Sequence, residues 1–196
     1  MKKNNKLFTI LGIVAVILIV FFLIVRGYNT VAAAGESVDS QWANVENAYQ
    51  RRADLIPNLV NTVKGAADFE KETLTNVIEA RSKATSVNID ANNLNPQSFK
   101  QFQQAQDGLS SALSRLMVVV ERYPELKANQ NFLELQSQLE GTENRISVER
   151  KRYNDIASGY NSYIQRFFIH FLFPRDKKPY FTATAGAEKA PEVNFN

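Results

Sequence analysis

The residue types that could do chemistry are few and thinly spread. The chain has one histidine, His170, and no cysteine. Thiol catalysis, disulfides and cysteine zinc sites are therefore excluded, and neither a multi-histidine metal site nor a pair of histidine bases can be built from it. His170 lies within the apolar run Phe167-Phe168-Ile169-His170-Phe171-Leu172-Phe173 with no partner constellation nearby, so it reads as packed or interfacial. Glu70 with Glu72, and Glu140 with Glu143, are the carboxylate pairs that could act as acid and base, but such pairs are common on solvated helix surfaces. Gly65 and Gly141 stand alone and form no phosphate loop, and no Ser-His-Asp arrangement or dinucleotide fingerprint is present. The expectation is a non-enzymatic chain with no catalytic, cofactor or metal residues.

What remains is a set of polar residues at positions where a helical bundle would place apolar ones. Arg52, Arg81 and Glu149 each fall on an otherwise apolar stripe. An isolated buried charge is costly, so each needs a partner. Asp54, Asn58, Glu79, Glu143, Asn144 and Arg145 lie close in sequence or on facing turns. The expected structural polar network is Arg52, Asp54, Asn58, Glu79, Arg81, Glu143, Arg145 and Glu149. It reads as paired charges that fix helix register; the other reading is a pocket for a polar ligand. Tyr153-Asn154 and Tyr160-Asn161 repeat after two helical turns and so share a face. With Trp42 and Tyr49 they are candidates for helix packing, or for a contact between subunits.

The elements that must hold these residues follow from spacing. Val38, Trp42, Val45, Tyr49, Arg52, Ile56, Leu59 and Val63 step by three or four, as a helix requires. No proline separates them from the apolar N-terminal run, which predicts one long first helix ending near Gly65, loosened at Gly27 and Gly35 and kinked at Pro57. A second helix is predicted over 68–87, with Leu74, Val77, Ile78 and Arg81 on one face. Residues 86–97, Asn-rich with a proline, read as an exposed loop. A third helix over 97–122 carries Phe99, Phe102, Gln106, Leu109, Leu113, Leu116, Val120 and Tyr123. Asn131 with Glu134 resembles a capping box opening the last long helix, whose stripe runs from Phe132 to Phe167. No segment alternates with period two. The predicted fold class is all-α: an N-terminal transmembrane helix, then an antiparallel up-and-down bundle of about four long, coiled-coil-like soluble helices.

Leu7 to Val25 is 19 residues without a charge. As a helix it spans about 28 Å, matching a bilayer core of roughly 30 Å. A cleaved signal peptide has a shorter core, and Ala32-Ala33-Ala34 lies far past its end, so an uncleaved anchor in membrane lipid is expected. Lys2, Lys3 and Lys6 precede the run and only Arg26 closely follows it, which keeps the N-terminus in the cytoplasm and puts the bundle beyond the inner membrane. Apart from these four basic residues the chain holds 19 basic and 20 acidic residues, a net charge of −1. The basic balance thus belongs to the anchor's flanks and argues against nucleic acid as a partner. The expected organisation is a cytoplasmic N-terminus (1–6), the transmembrane helix (7–25), the helical bundle (26–173) and a C-terminal tail (174–196).

RRADLIPNLVNTVKG at 51–65 and EKETLTNVIEARSKA at 70–84 resemble the LemA family of bacterial membrane proteins. So do YPELKANQNFLELQSQLEGTENRI at 123–146, the two Tyr-Asn pairs, Tyr28-Asn29 after the anchor, and the tail PYFTATAGAEKAPEVNF at 179–195. The linker at 86–97 and the run at 166–178 match the family pattern least. The resemblance implies a membrane helix with an antiparallel bundle and a scaffold-like role without an established catalytic activity. Members are also found among magnetosome membrane proteins, and others are encoded near membrane metallopeptidases.

Residues 167–173 are too few to span a bilayer. If the soluble helices run up, down, up and down, the chain meets the membrane surface there. Phe167, Phe168, Phe171 and Phe173, followed by Arg175, Lys177 and Lys178, would then suit the headgroup region. With different parity the run would be an oligomer contact or a cap on the bundle. Off-stripe apolar residues, Leu55, Val60, Leu133 and Val148, suggest self-association. The expected role is a self-associating, single-pass scaffold or assembly protein of the cell envelope. The alternatives are an adaptor for a membrane metallopeptidase or envelope-stress system, and a ligand-binding sensor using Arg52, Glu79 and Arg81.

Overall fold

The computed structural model describes residues 2–65, 69–87, 89 and 94–182, with side chains from residue 8 onward. The described residues are helical with no β-strand. The first helix, α1, runs unbroken over Lys2–Lys64. It is followed by α2 (Lys71–Ser86), α3 (Pro96–Val120), the single turn α4 (Pro124–Lys127), α5 (Gln130–Ile164) and the short α6 (Phe167–Leu172). The upper part of α1 packs along α5, and α2 packs along α3. Gly35 faces Tyr160, Gln41 bonds Glu149 and Arg52 bonds Glu143, an antiparallel register in which α5 descends as α1 rises. The result is an antiparallel bundle of four long helices above an exposed apolar rod, Phe8 to Val25.

The core forms two apolar clusters. The one nearer the apolar rod gathers Val31, Val38, Trp42, Val45 and Tyr49 of α1 with Phe99, Phe102, Ile146, Tyr153, Tyr160 and Ile164. The distal one gathers Ile56, Leu59, Val60 and Val63 with Leu74, Val77, Leu109, Leu113, Leu116, Phe132 and Leu139. α2 contributes only to the distal cluster. Nearer the rod its place is taken by Ile89, Leu94 and the tail residue Phe181.

Several local expectations are corrected. Ile89 and Leu94 are buried, so the linker around them is not simply an exposed loop; residues 88 and 90–93 lie outside the described residues. Ile78 faces outward, because α2 buries only the Leu74–Val77–Ala84 edge. The last long helix is capped by Asn129, not by Asn131 with Glu134. Asn129 has the extended backbone of a cap (φ −77°, ψ 118°), and its side chain accepts from the Phe132 N–H at 3.2 Å. Val60 is buried and Leu55 half-buried in the distal cluster, because α2 as well as α5 packs against that end of α1.

Pro57 sits inside α1 and has no N–H to offer the carbonyl of Ala53 one turn below. Arg81 of α2 takes over that acceptor, its Nε donating to the Ala53 oxygen at 2.8 Å. The charged group on α2's apolar stripe therefore repairs a defect in α1 and ties the two helices together. Arg81→Met should cost about 1.5–3 kcal/mol, the range for a hydrogen bond involving a charged group. In a Pro57→Ala background the carbonyl regains its helical partner and the same substitution should cost clearly less. Denaturant unfolding of the four proteins of this cycle, extracted in detergent, measures the coupling, and equal costs in both backgrounds would contradict the pairing.

Candidate functional site

Between the two clusters lies a polar layer built on Arg52, which is buried. One guanidinium nitrogen donates to Ser110 Oγ and Glu143 Oε2, each at 2.8 Å. The other donates to the Gln106 side-chain oxygen at 2.7 Å and to the Gln106 carbonyl at 3.3 Å. Gln106 then donates through Nε2 to the Ala84 carbonyl at 3.2 Å, one of the last four carbonyls of α2 that a helix cannot satisfy itself. Four helices thus meet at one level through one arginine and one glutamine. Glu143 is half-open to solvent, so it hydrates part of its charge while holding Arg52. An open cleft of about 450 Å³ borders this layer, lined by Tyr49, Arg52, Ser110, Glu143 and Arg150 among others.

A buried acid, Glu149, is held lower in the bundle. Glu149 Oε2 accepts from Gln41 Nε2 at 2.8 Å, while Arg152 and Arg145 approach its other oxygen at 3.4 and 4.0 Å. The expected single network is therefore three separate arrangements: Arg52 with Glu143, Arg81 with the Ala53 carbonyl, and Glu149 with Gln41, Arg145 and Arg152. Asp54, Asn58 and Glu79 join none of them. Asp54 accepts from exposed Gln50, Asn58 lies on the outer face of α1, and Glu79 faces solvent on α2. Gln41, Gln106 and Ser110 are the members that sequence reasoning missed. Gln106 stood on its stripe as the one amide among apolar residues, which was the available signal.

The two Tyr-Asn pairs have distinct tasks. Tyr153 and Tyr160 point into the core, where Tyr153 meets Trp42 (5.7 Å between ring centres) and Phe99 (5.8 Å). Burial pushes both phenols, and that of Tyr49, above their ordinary value of 10, so they stay neutral. The asparagines face the C-terminal tail. Asn161 donates to the Lys178 carbonyl and accepts from the Lys178 N–H, both at 2.8 Å. Asn154 does the same with Phe181, at 2.8 and 2.9 Å. Two helical turns rise about 10.5 Å, close to the roughly 10 Å covered by three extended residues, so the repeat on α5 matches the spacing of Lys178 and Phe181. Arg150 donates to the Thr182 carbonyl at 2.9 Å and lies over the Phe181 ring, which packs on Trp42 at 6.0 Å. Residues 178–182 form a strap laid along α5 and stapled to the core.

The strap places the basic residues after the aromatic run. Lys178 pairs with Asp39 at 2.8 Å, and Arg175 lies close enough to Tyr160 to act on its phenol. Lys177, like Arg175, lines a cleft with Leu94 and Tyr160. All three sit up the side of the bundle, not beside the exposed Phe167, Phe168 and Phe171. Phe173 and Ile169 instead turn inward onto α1. Tyr28 and Phe173 pack edge to face at 5.7 Å, and a Cβ on Gly27 would lie 3.2 Å from Ile169 and 3.3 Å from Phe173. Gly27 is where the absent side chain admits α6. Among the described residues no group of three or more His, Asp or Glu is placed to hold a metal.

An apolar rod continuous with a closed helical bundle defines an all-helical protein fitted to be held in a membrane by its N-terminal helix. The chain belongs to the LemA family, whose model matches residues 41–195. It is 28% identical over 166 residues to Protein LemA of Metamycoplasma hominis, a match covering 85% of this chain and 72% of that one. It is 27% identical over 184 residues to Magnetosome protein MamQ 2 of Paramagnetospirillum magneticum, covering 83% of this chain and 66% of the relative. Magnetosome protein MamQ of Magnetospirillum gryphiswaldense is 24% identical over 188 residues, with shares of 85% and 67%. The chain spans about two thirds of the length of the magnetosome relatives. None of these names denotes an enzyme.

The asparagine clamp has a built-in reporter, since Trp42 is the single tryptophan and Phe181 lies on it. Asn154→Ala with Asn161→Ala removes five hydrogen bonds, the fifth being from Asn161 to the Tyr180 hydroxyl, about 3–5 kcal/mol of strap docking at roughly 1 kcal/mol per bond, lowered by partial exposure. Trp42 emission should move to longer wavelength and trypsin should cut faster after Arg175 and Lys177, the Lys178–Pro179 bond being resistant to it. Unchanged emission and cleavage would contradict the clamp.

Proposed function

We propose that this chain is a single-pass, membrane-anchored scaffold that assembles with copies of itself, without catalysing a reaction. The supporting observation is Arg52: the polar residue set deepest in the bundle directs four hydrogen bonds at its own fold, the pattern of a register-fixing device. The outer surface meanwhile exposes Val118 (71%), Ile78, Leu133 and Val148. Anchoring holds copies in one plane and one orientation, which raises their effective concentration. The lysines before the apolar run favour a cytoplasmic N-terminus and a bundle beyond the inner membrane.

The adaptor reading, with a membrane metallopeptidase or envelope-stress protein as partner, uses the same exposed residues and rests on the family resemblance. The sensor reading would use the open cleft beside Arg52; it has in its favour the buried Arg52 Nε, which has no hydrogen-bond partner. Glu79 and Arg81, its other expected members, stand apart from that cleft.

Native mass measurement of the full chain extracted in mild detergent tests the proposal. The expected result is a series of multiples of the 22.1 kDa chain. A monomer alone would contradict self-assembly, and a fixed ratio with a different subunit would favour the adaptor.

A further inference from the structure

α6 leaves an aromatic face open to water. Phe167, Phe168 and Phe171 are 78%, 73% and 78% exposed, and Leu172 is 44% exposed. On a helix these four positions cover a continuous arc of about 140°, while Ile169 and Phe173 lie on the other side and grip α1 at Gly27 and Tyr28. A patch of three large aromatics on so short an element is costly to leave in water.

Its height is fixed by α1. The uncharged run ends at Val25, and α6 meets α1 at Gly27, about 3 Å further along the axis. Headgroup regions add roughly 5–8 Å to each side of the hydrocarbon core, so α6 falls within that layer. Ile24 and Val25, just below the contact, are the least exposed large residues between Phe8 and Val25. Neither neighbour lets α6 swing away. It follows α5 after a capped end in which the Gln165 N–H donates to the Asn161 carbonyl. It precedes the strap that Asn161 and Asp39 hold. Arg26 and Arg166 bring positive charge to the same level, which suits anionic headgroups.

We infer that α6 is a second membrane contact: its Phe167–Phe168–Phe171–Leu172 face inserts into the headgroup layer of the bilayer that α1 crosses. The occupant of this face is lipid. Arg175, Lys177 and Lys178 take no part, because the strap carries them up the bundle. One helix alone could tilt and spin freely; a helix with an aromatic foot at its exit fixes the direction in which the bundle leaves the membrane.

This rests on the reading of residues 7–25 as a span, and the test separates the two. The full chain is labelled with a bimane fluorophore at Phe171→Cys, Ile17→Cys or Ser137→Cys, one site at a time. Each is placed in nanodiscs of phosphatidylcholine and phosphatidylglycerol, with and without nitroxide-bearing lipids. The expected result is strong loss of fluorescence at positions 17 and 171 and none at 137. Loss at 17 without loss at 171 overturns the inference and leaves the span standing. Loss at neither overturns both. A label at 171 shielded from aqueous iodide yet untouched by nitroxide lipid also overturns it, since a second copy would then cover the face.

Discussion

A single helix, α1, both matches the bilayer and forms a wall of the bundle, and the rest of the structure is read off along it. With no joint between Val25 and Val31, distance along the helix becomes height above the membrane. The register of α5 against α1 then assigns a level to every other element: α6 at Gly27, the strap ion pair at Asp39, the Arg52 layer higher, and the helix ends near Lys64. Flexibility between anchor and bundle would leave all these levels undefined. The helix runs unbroken through Gly27 and Gly35, and Gly27 provides room for Ile169 and Phe173.

Each half of the bundle is completed differently. Distally, α2 supplies the missing wall through Leu74 and Val77. Nearer the anchor the chain's own tail closes the core, with Phe181 laid on Trp42 and Phe99. The Arg52 layer marks the change between the two, and it also receives the carbonyl end of α2 through Gln106. Apolar clusters provide most of the burial free energy but tolerate sliding; a buried arginine with four directed bonds permits one register.

Much of this was legible in the sequence. Three- and four-residue spacing placed the long helices, and absence of a break between Val25 and Val38 announced the continuity of α1. The proline positions marked the start of α3 and the turn before α5. Harder to read was whatever depends on partners distant in the chain. Arg52, Arg81 and Glu149 stood out as charges on apolar stripes, but only the fold shows that Arg81 answers a carbonyl freed by Pro57. The Tyr-Asn repeat announced a shared face without revealing that its asparagines grip backbone, because hydrogen bonding to peptide groups leaves no complementary residue type in the tail. Asn131 with Glu134 fits a capping box by composition, and only the backbone geometry shows that the cap is Asn129.

Rigid continuity of α1 is the central claim, and a distance across the membrane boundary tests it most directly. Spin labels at Phe21→Cys and Asn58→Cys, both on exposed positions, can be measured by double electron–electron resonance on the full chain in nanodiscs. A continuous helix predicts one narrow distribution near about 55 Å, from a rise of about 1.5 Å per residue. A broad distribution, or one centred well below that length, would contradict the account.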